Sequence, residues 1–217
     1  YYQRQPNIVA AVTGTNGKTS VVSFARQIWG ALGDRGASIG TLGVSAPGFD
    51  GGAGLTTPDS ADLHRILADL ADAGIDHLAI EASSHGLAQS RIDGVRLTAA
   101  AFTNLTRDHL DYHGDEESYF QAKARLFEDL LPSGGAAVLN ADSPTFDRLA
   151  DIAHRRGQRV VSFGAYDVDR APDIALVSAR PSGDGQLLTI AIEDRRREVD
   201  IALVGDFQVS NLLCALA

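Results

Sequence analysis

The stretch from Ile8 to Leu32 constrains the fold more than any other part of the chain. Ile8 to Val12 is a short apolar run, Gly14-Thr15-Asn16-Gly17-Lys18-Thr19 follows it, and Val21, Phe24, Ala25, Ile28 and Leu32 then recur at helical spacing. The first run fits a buried strand and the last pattern fits one face of a helix. Backbone N–H groups at such a helix start can cradle phosphate oxygens. Gly17 permits close backbone approach, Lys18 offers a cation to the outer phosphates, and the Thr19 hydroxyl can ligate Mg²⁺. The general phosphate-loop pattern has a glycine five residues before Gly17, where this chain has Val12. An ordinary glycine turn capping a helix is the alternative, and the strand–loop–helix context favours the nucleotide.

Strands and helices then alternate. Ala37 to Val44 reads as a second strand, and the Gly-rich residues 45 to 55 as a loop. Thr57-Pro58 predicts a helix start with Thr57 as its cap, and Leu63, Ile66, Leu67 and Leu70 form that helix's stripe. Further strands are predicted at His77–Ala82, Leu97–Thr103, Ala136–Asn140 and Val160–Phe163, with helices at Glu116–Leu131 and Pro144–Arg156. This order implies an α/β fold, a mostly parallel sheet flanked by helices. Ile174–Ser178, Gln186–Ile192 and Glu198–Val204 read as consecutive strands, the last two joined by a turn at Glu193-Asp194-Arg195-Arg196, and predict a small antiparallel sheet near the C-terminal end.

Bulk properties narrow the function. The 217 residues carry a net charge of −9, which argues against broad nucleic-acid binding. An anionic small molecule stays possible, because a few local cations and N–H groups suffice. Cys214 is the one cysteine, so no internal disulfide can form, which suits a reducing cytoplasm. No apolar run approaches the length of a membrane span, so no membrane insertion is expected. Phe207 to Ala217 reads as a helix without an exit signal, and predicts a chain cut inside a larger protein.

Acidic and histidine groups fall at strand ends, where ligands bind in open α/β sheets. Glu81 closes an apolar strand in Ile80-Glu81-Ala82-Ser83-Ser84-His85 and can complete a Mg²⁺ shell, or be an exposed strand-end acid. The segment Asn104 to His113 gathers Asp108, His109, Asp111 and His113. Zinc is conceivable there, phosphate chemistry favours Mg²⁺, and each residue could instead bond its own loop. Lys123, by pattern alone, is a solvated helix lysine.

Three separated segments then coincide: Val12-Thr13-Gly14-Thr15-Asn16-Gly17-Lys18-Thr19-Ser20, Glu81-Ala82-Ser83-Ser84-His85-Gly86-Leu87 and Asn104 through Gly114. Together they resemble the central domain of the Mur ligase family, with wording most similar to its UDP-N-acetylmuramoyl-tripeptide synthetase branch. Gly205-Asp206-Phe207-Gln208-Val209-Ser210-Asn211 resembles the family's last central-domain motif. Val12 fits too, since the family's loop lacks the first glycine.

The resemblance implies an ATP-dependent ligase of peptidoglycan synthesis. It would phosphorylate UDP-MurNAc-L-Ala-D-Glu to an acyl phosphate, which a diamino acid, meso-diaminopimelate or L-lysine, attacks. It implies that Gly14, Thr15, Asn16, Gly17, Lys18, Thr19, Ser20 and Asn211 serve ATP. Thr19 would serve a first Mg²⁺, Glu81 would serve Mg²⁺, and His109 with a carbamylated Lys123 would hold a second. Thr56, Thr57, Ser83, Gln89 and Arg91 match positions that contact the muramoyl dipeptide. Leu55 departs from the Asn of some relatives. The resemblance further implies a bacterial cytoplasmic monomer whose residues 1–217 are the central domain, with amino- and carboxy-terminal domains outside the chain. A folylpolyglutamate synthetase-like ligase and a non-catalytic nucleotide-binding module are the alternatives.

Overall fold

The computed structural model describes residues 4–50, 55–106, 108, 110–168, 171–193 and 195–217. In chain order, β1 (Ile8–Thr13) leads through the glycine loop into α1 (Lys18–Leu32), then β2 (Gly36–Gly40), β3 (Gly43–Ala46) and β4 (Phe49–Asp50). Next come α2 (Ser60–Asp72), β5 (His77–Glu81), α3 (Ser84–Ala88), β6 (Ala99–Phe102), α4 (Leu110–His113) and α5 (Glu116–Arg125). The chain continues through β7 (Ala136–Asn140), α6 (Phe146–Arg155), β8 (Arg159–Ala165), β9 (Ile174–Ser182), β10 (Gly185–Ile192), β11 (Arg195–Ile201) and α7 (Asp206–Leu216).

Among the described residues, eleven strands join one sheet, in the order β11-β10-β9-β8-β7-β6-β1-β5-β2-β3-β4. Pairings from β2 across β5, β1, β6, β7 and β8 to β9 are parallel. Successive side chains on a strand face opposite ways, so each central strand feeds two cores. Val9, Ala11, Leu78, Ile80, Phe102 and Leu139 bury with α2, α5 and α6 on one face. Val12, Ala79, Ala101 and Val138 bury with Val21, Val22, Val209 and Leu213 of α1 and α7 on the other.

The structure departs from the sequence expectations in places, each with a local cause. Thr57 does not cap α2. Asp59 does, its carboxylate accepting from Asp62 N at 3.0 Å, because the Thr57 hydroxyl is committed to Glu81 O at 2.9 Å and to Ser83. The strand expected over 37–44 folds back after Gly40, and Gly43 takes φ 85° where the chain re-enters as β3. Part of the expected 45–55 loop is therefore the antiparallel β3–β4 edge.

The helix expected to reach Leu131 changes to π geometry over Leu126–Leu130, and Gln158 Nε2 donates to Phe127 O at 2.7 Å and Leu131 O at 2.8 Å. Those carbonyls thereby find a donor where the regular ladder stops. The C-terminal strands are antiparallel as expected. They extend the main sheet through the parallel β8–β9 pair rather than standing beside it.

Candidate active site

The carboxyl ends of β1, β5, β2 and β6 meet at one edge of the sheet, and the glycine loop lies across them. Gly14 has φ 139°, and a Cβ there would collide with Thr103 Oγ1; Gly17 has φ 90°, and a Cβ there would collide with Asn211 Oδ1. Only glycine meets both demands. The loop is fixed from the β6 exit: Thr15 N donates to Asn104 O at 2.9 Å, Asn16 N to Asn104 Oδ1 at 3.0 Å, and Thr103 Oγ1 to Asn16 O at 2.6 Å.

Two amines converge on the loop's first carbonyl. Lys18 Nζ donates to Gly14 O at 2.9 Å and Thr15 O at 2.8 Å, and Lys123 Nζ donates to Gly14 O at 2.8 Å. Lys123 is 1 % exposed, not solvated as its pattern suggested. Its amine lies 4.4 Å from the centre of the Tyr119 ring, and Tyr119 OH reaches Thr15 Oγ1 at 3.3 Å. Burial, reinforced by the Lys18 charge and opposed by Asp108, brings the Lys123 amine down to about 7. Burial also lowers the Lys18 amine, against the pull of Glu81 and Asp108.

Glu81 is buried at the end of β5 and bonded on both oxygens. Oε1 accepts from Thr19 Oγ1 at 2.9 Å and Thr41 N at 2.9 Å, and Oε2 from Thr41 Oγ1 at 3.3 Å. A carboxylate with two flanking hydroxyls is a hard oxygen donor set, which fits Mg²⁺. Among the described residues, no three His, Cys, Asp or Glu side chains cluster as a metal site, so the zinc alternative finds no such cluster there. His109 lies outside the described residues.

The residues matched to the muramoyl dipeptide adjoin this centre. Thr56 Oγ1 is 3.1 Å from Thr41 Oγ1, and Thr57 Oγ1 is 3.0 Å from Ser83 Oγ. Arg91 donates to Thr57 O at 3.0 Å and, through Nε at 3.0 Å and Nη2 at 2.5 Å, to Gln89 Oε1. Arg125 clasps this strap to α5, bonding Leu87 O at 2.8 Å and both Asp93 oxygens at 2.9 and 2.7 Å. On the far side of the loop, Asn16, Gly17, Ser20, Asn104, Ser210 and Asn211 line a cavity of about 450 Å³.

Sequence reasoning did not single out Thr41, Tyr119 or Arg125. Thr41 carried no signal, because it follows a strand whose end was misplaced. Tyr119 and Lys123 did carry one: with Phe120 and Phe127 they share i, i+3 and i+4 spacing, the apolar face of α5 and its continuation.

The chain matches the family model of the Mur ligase middle domain over residues 12–217. It is 50 % identical to the UDP-N-acetylmuramoyl-L-alanyl-D-glutamate–2,6-diaminopimelate ligase of Caulobacter vibrioides, over 99 % of this chain and 45 % of that protein. It is 47 % identical to the ligase of the same name from Bradyrhizobium diazoefficiens, over 98 % of this chain and 44 % of that protein. A solved structure of a ligase of that name superposes with a TM-score of 0.87 at 32 % identity, covering 98 % of this chain and 43 % of the other. A complex of FPGS with AMPPCP and folate shares the fold, with a TM-score of 0.73 at 20 % identity over 98 % of this chain and 57 % of that one. The chain thus spans a little under half the length of the curated relatives it matches. Among the described residues, no helix is long and apolar enough to cross a membrane.

Proposed function

This chain belongs to the Mur ligase family, as a middle domain, and we propose that it is the ATP-handling core of a ligase that joins a diamino acid to UDP-MurNAc-L-Ala-D-Glu. The observation that carries this reading is the convergence of Lys18, Glu81 and Lys123 on one loop. The names of the ligases it is similar to favour 2,6-diaminopimelate over lysine as the diamino acid. A bacterial cytoplasmic monomer without nucleic-acid partners completes the reading.

A carboxylate is a poor electrophile, and phosphorylation gives it a leaving group. Its oxygen attacks the γ-phosphorus of ATP as the bond to ADP breaks. The amine then attacks the acyl carbon, loses a proton, and phosphate departs. Gly14 to Ser20 cradle the phosphates, and Lys18 offers its charge to the outer ones. Asn211 faces the nucleotide end. Arg91, Gln89, Ser83, Thr56 and Thr57 hold the muramoyl dipeptide and aim its carboxylate, which lowers the entropic cost of the encounter. Thr19 and Glu81 would hold one Mg²⁺, and His109 with Lys123 as its carbamate a second, supplying charge neutralisation at the transferring group when bound. Lys123 suits that modification, because its neutral amine is the form that adds CO₂.

The test uses the full-length protein. Phosphate release should require ATP, the muramoyl dipeptide and diaminopimelate together, and Lys18→Ala should abolish it. Equal turnover with folate and glutamate in place of the muramoyl pair would sink the reading in favour of a folylpolyglutamate synthetase. The 217-residue chain alone should bind nucleotide and form no tripeptide, because the relatives carry further chain that this reading makes necessary.

A further inference from the structure

We propose that the cavity between α1 and the β2–β3 edge is a second oxyanion subsite, which takes inorganic phosphate and uses Arg26 as its cation. The cavity measures about 390 Å³ and is lined by Thr19, Ser23, Arg26, Ser38, Ser45 and Glu81. It opens at one end on the Thr19–Glu81 pair and runs along α1 to Arg26.

Both walls follow from secondary-structure geometry. Thr19, Ser23 and Arg26 stand at i, i+4 and i+7 on α1, so they form one polar stripe. That stripe spans about 10 Å at roughly 1.5 Å per residue. Ser38 and Ser45 are direct cross-strand partners in the β2–β3 pair, so their hydroxyls project to the same face, toward α1. Val22 and Phe49 supply apolar lining.

Arg26 Nε is shielded from solvent and has no hydrogen-bond partner among the described residues. Buried donors left unpaired are costly, and a native one calls for a ligand or bound water. The guanidinium fork matches two oxygens of a phosphate. The serine hydroxyls of both walls can donate to the others, which a planar carboxylate would use less fully. Among the described side chains, Glu81 is the one carboxylate of the lining, and its oxygens are already engaged by Thr19 and Thr41.

The subsite gives departing phosphate a place to stand while the glycine loop still holds the nucleotide diphosphate, a role that rests on the ligase reading above. The binding itself does not.

The test is phosphate binding to the full-length protein with the glycine loop saturated by ADP and Mg²⁺, followed by ³¹P NMR and by crystals soaked in phosphate. The expected result is phosphate bridging Arg26 and the serine hydroxyls, weakened about tenfold or more in Arg26→Gln, with ADP affinity unchanged. Ser38→Ala/Ser45→Ala should weaken it by a smaller factor and guards against misfolding of the arginine variant. Phosphate at the glycine loop alone, or equal affinity in Arg26→Gln, would overturn the inference. The readout here is binding and not ligation, so a protein that binds phosphate at Arg26 but fails the tripeptide assay above refutes only the ligase reading. One that ligates but leaves Arg26 empty refutes only the subsite.

Discussion

The Thr19 hydroxyl donates to Glu81 Oε1 at 2.9 Å, joining the first turn of α1 to the end of β5 across 62 residues. Glu81→Gln preserves the shape and most acceptor capacity but removes the charge. The fold should survive, with a melting temperature within a few degrees of the parent. Tripeptide formation by the full-length protein should fall at least about a hundredfold, because on the proposed reading the lost anion would serve a metal beside developing phosphate charge. Thermal melts paired with product assays check both halves.

Lys123 makes stability depend on pH in a defined direction. Its amine titrates near 7 in the folded chain and at about 10.5 when unperturbed. Between those values the unfolded chain binds the extra proton, so stability rises with pH across that window. Below about 7 both states are charged and the full penalty of burying the cation is present. Denaturant melts from pH 7 to 10 should show a shallower rise in Lys123→Met than in the parent. Supplying ¹³C-labelled bicarbonate should give a carbamate resonance that Lys123→Met lacks.

Gly14→Ala and Gly134→Ala form a matched pair. Both glycines have positive φ, at 139° and 80°, but only at Gly14 would a Cβ strike a neighbour, Thr103 Oγ1, while Gly134 faces open space. Gly134→Ala should cost about 1 kcal/mol from backbone strain alone. Gly14→Ala should cost clearly more and also weaken nucleotide binding, since the loop must shift. Equal losses in chemical denaturation would show that the loop is slack.

Arg125 and Asp93 should couple in a double-mutant cycle. The pair is bidentate, yet the Asp93 side chain is 41 % exposed, so solvent screens it. A coupling of about 1 kcal/mol or less is expected. In the full-length protein, Asp93→Ala should raise KM for the muramoyl dipeptide more than it lowers kcat, because the clasp positions the strap that carries Gln89 and Arg91.

The fold was legible where periodicity was long and unambiguous. The apolar runs at β1, β5 and β7, and the α1 and α2 stripes, each placed an element within a few residues. Legibility failed where a side chain served a distant partner. Thr57 before Pro58 has the composition of a helix cap, but its hydroxyl faces the strand end at Glu81, a contact no local window contains. Lys123 has the composition of a surface lysine and lies in the core, because its neighbours at helical spacing are Tyr119, Phe120 and Phe127. The loop from Gly14 to Thr19 was readable from its residues alone. Its companions Thr41 and Tyr119 come together only through the sheet order.

The Gly14 carbonyl accepts from both Lys18 and Lys123. The Lys18 charge helps keep the Lys123 amine deprotonated. Any anion that settles on Lys18 therefore weakens that push and draws a proton back to Lys123. On the proposed reading the two lysines would set an order of events: chemistry on the Lys123 nitrogen would be easiest before a nucleotide reaches Lys18.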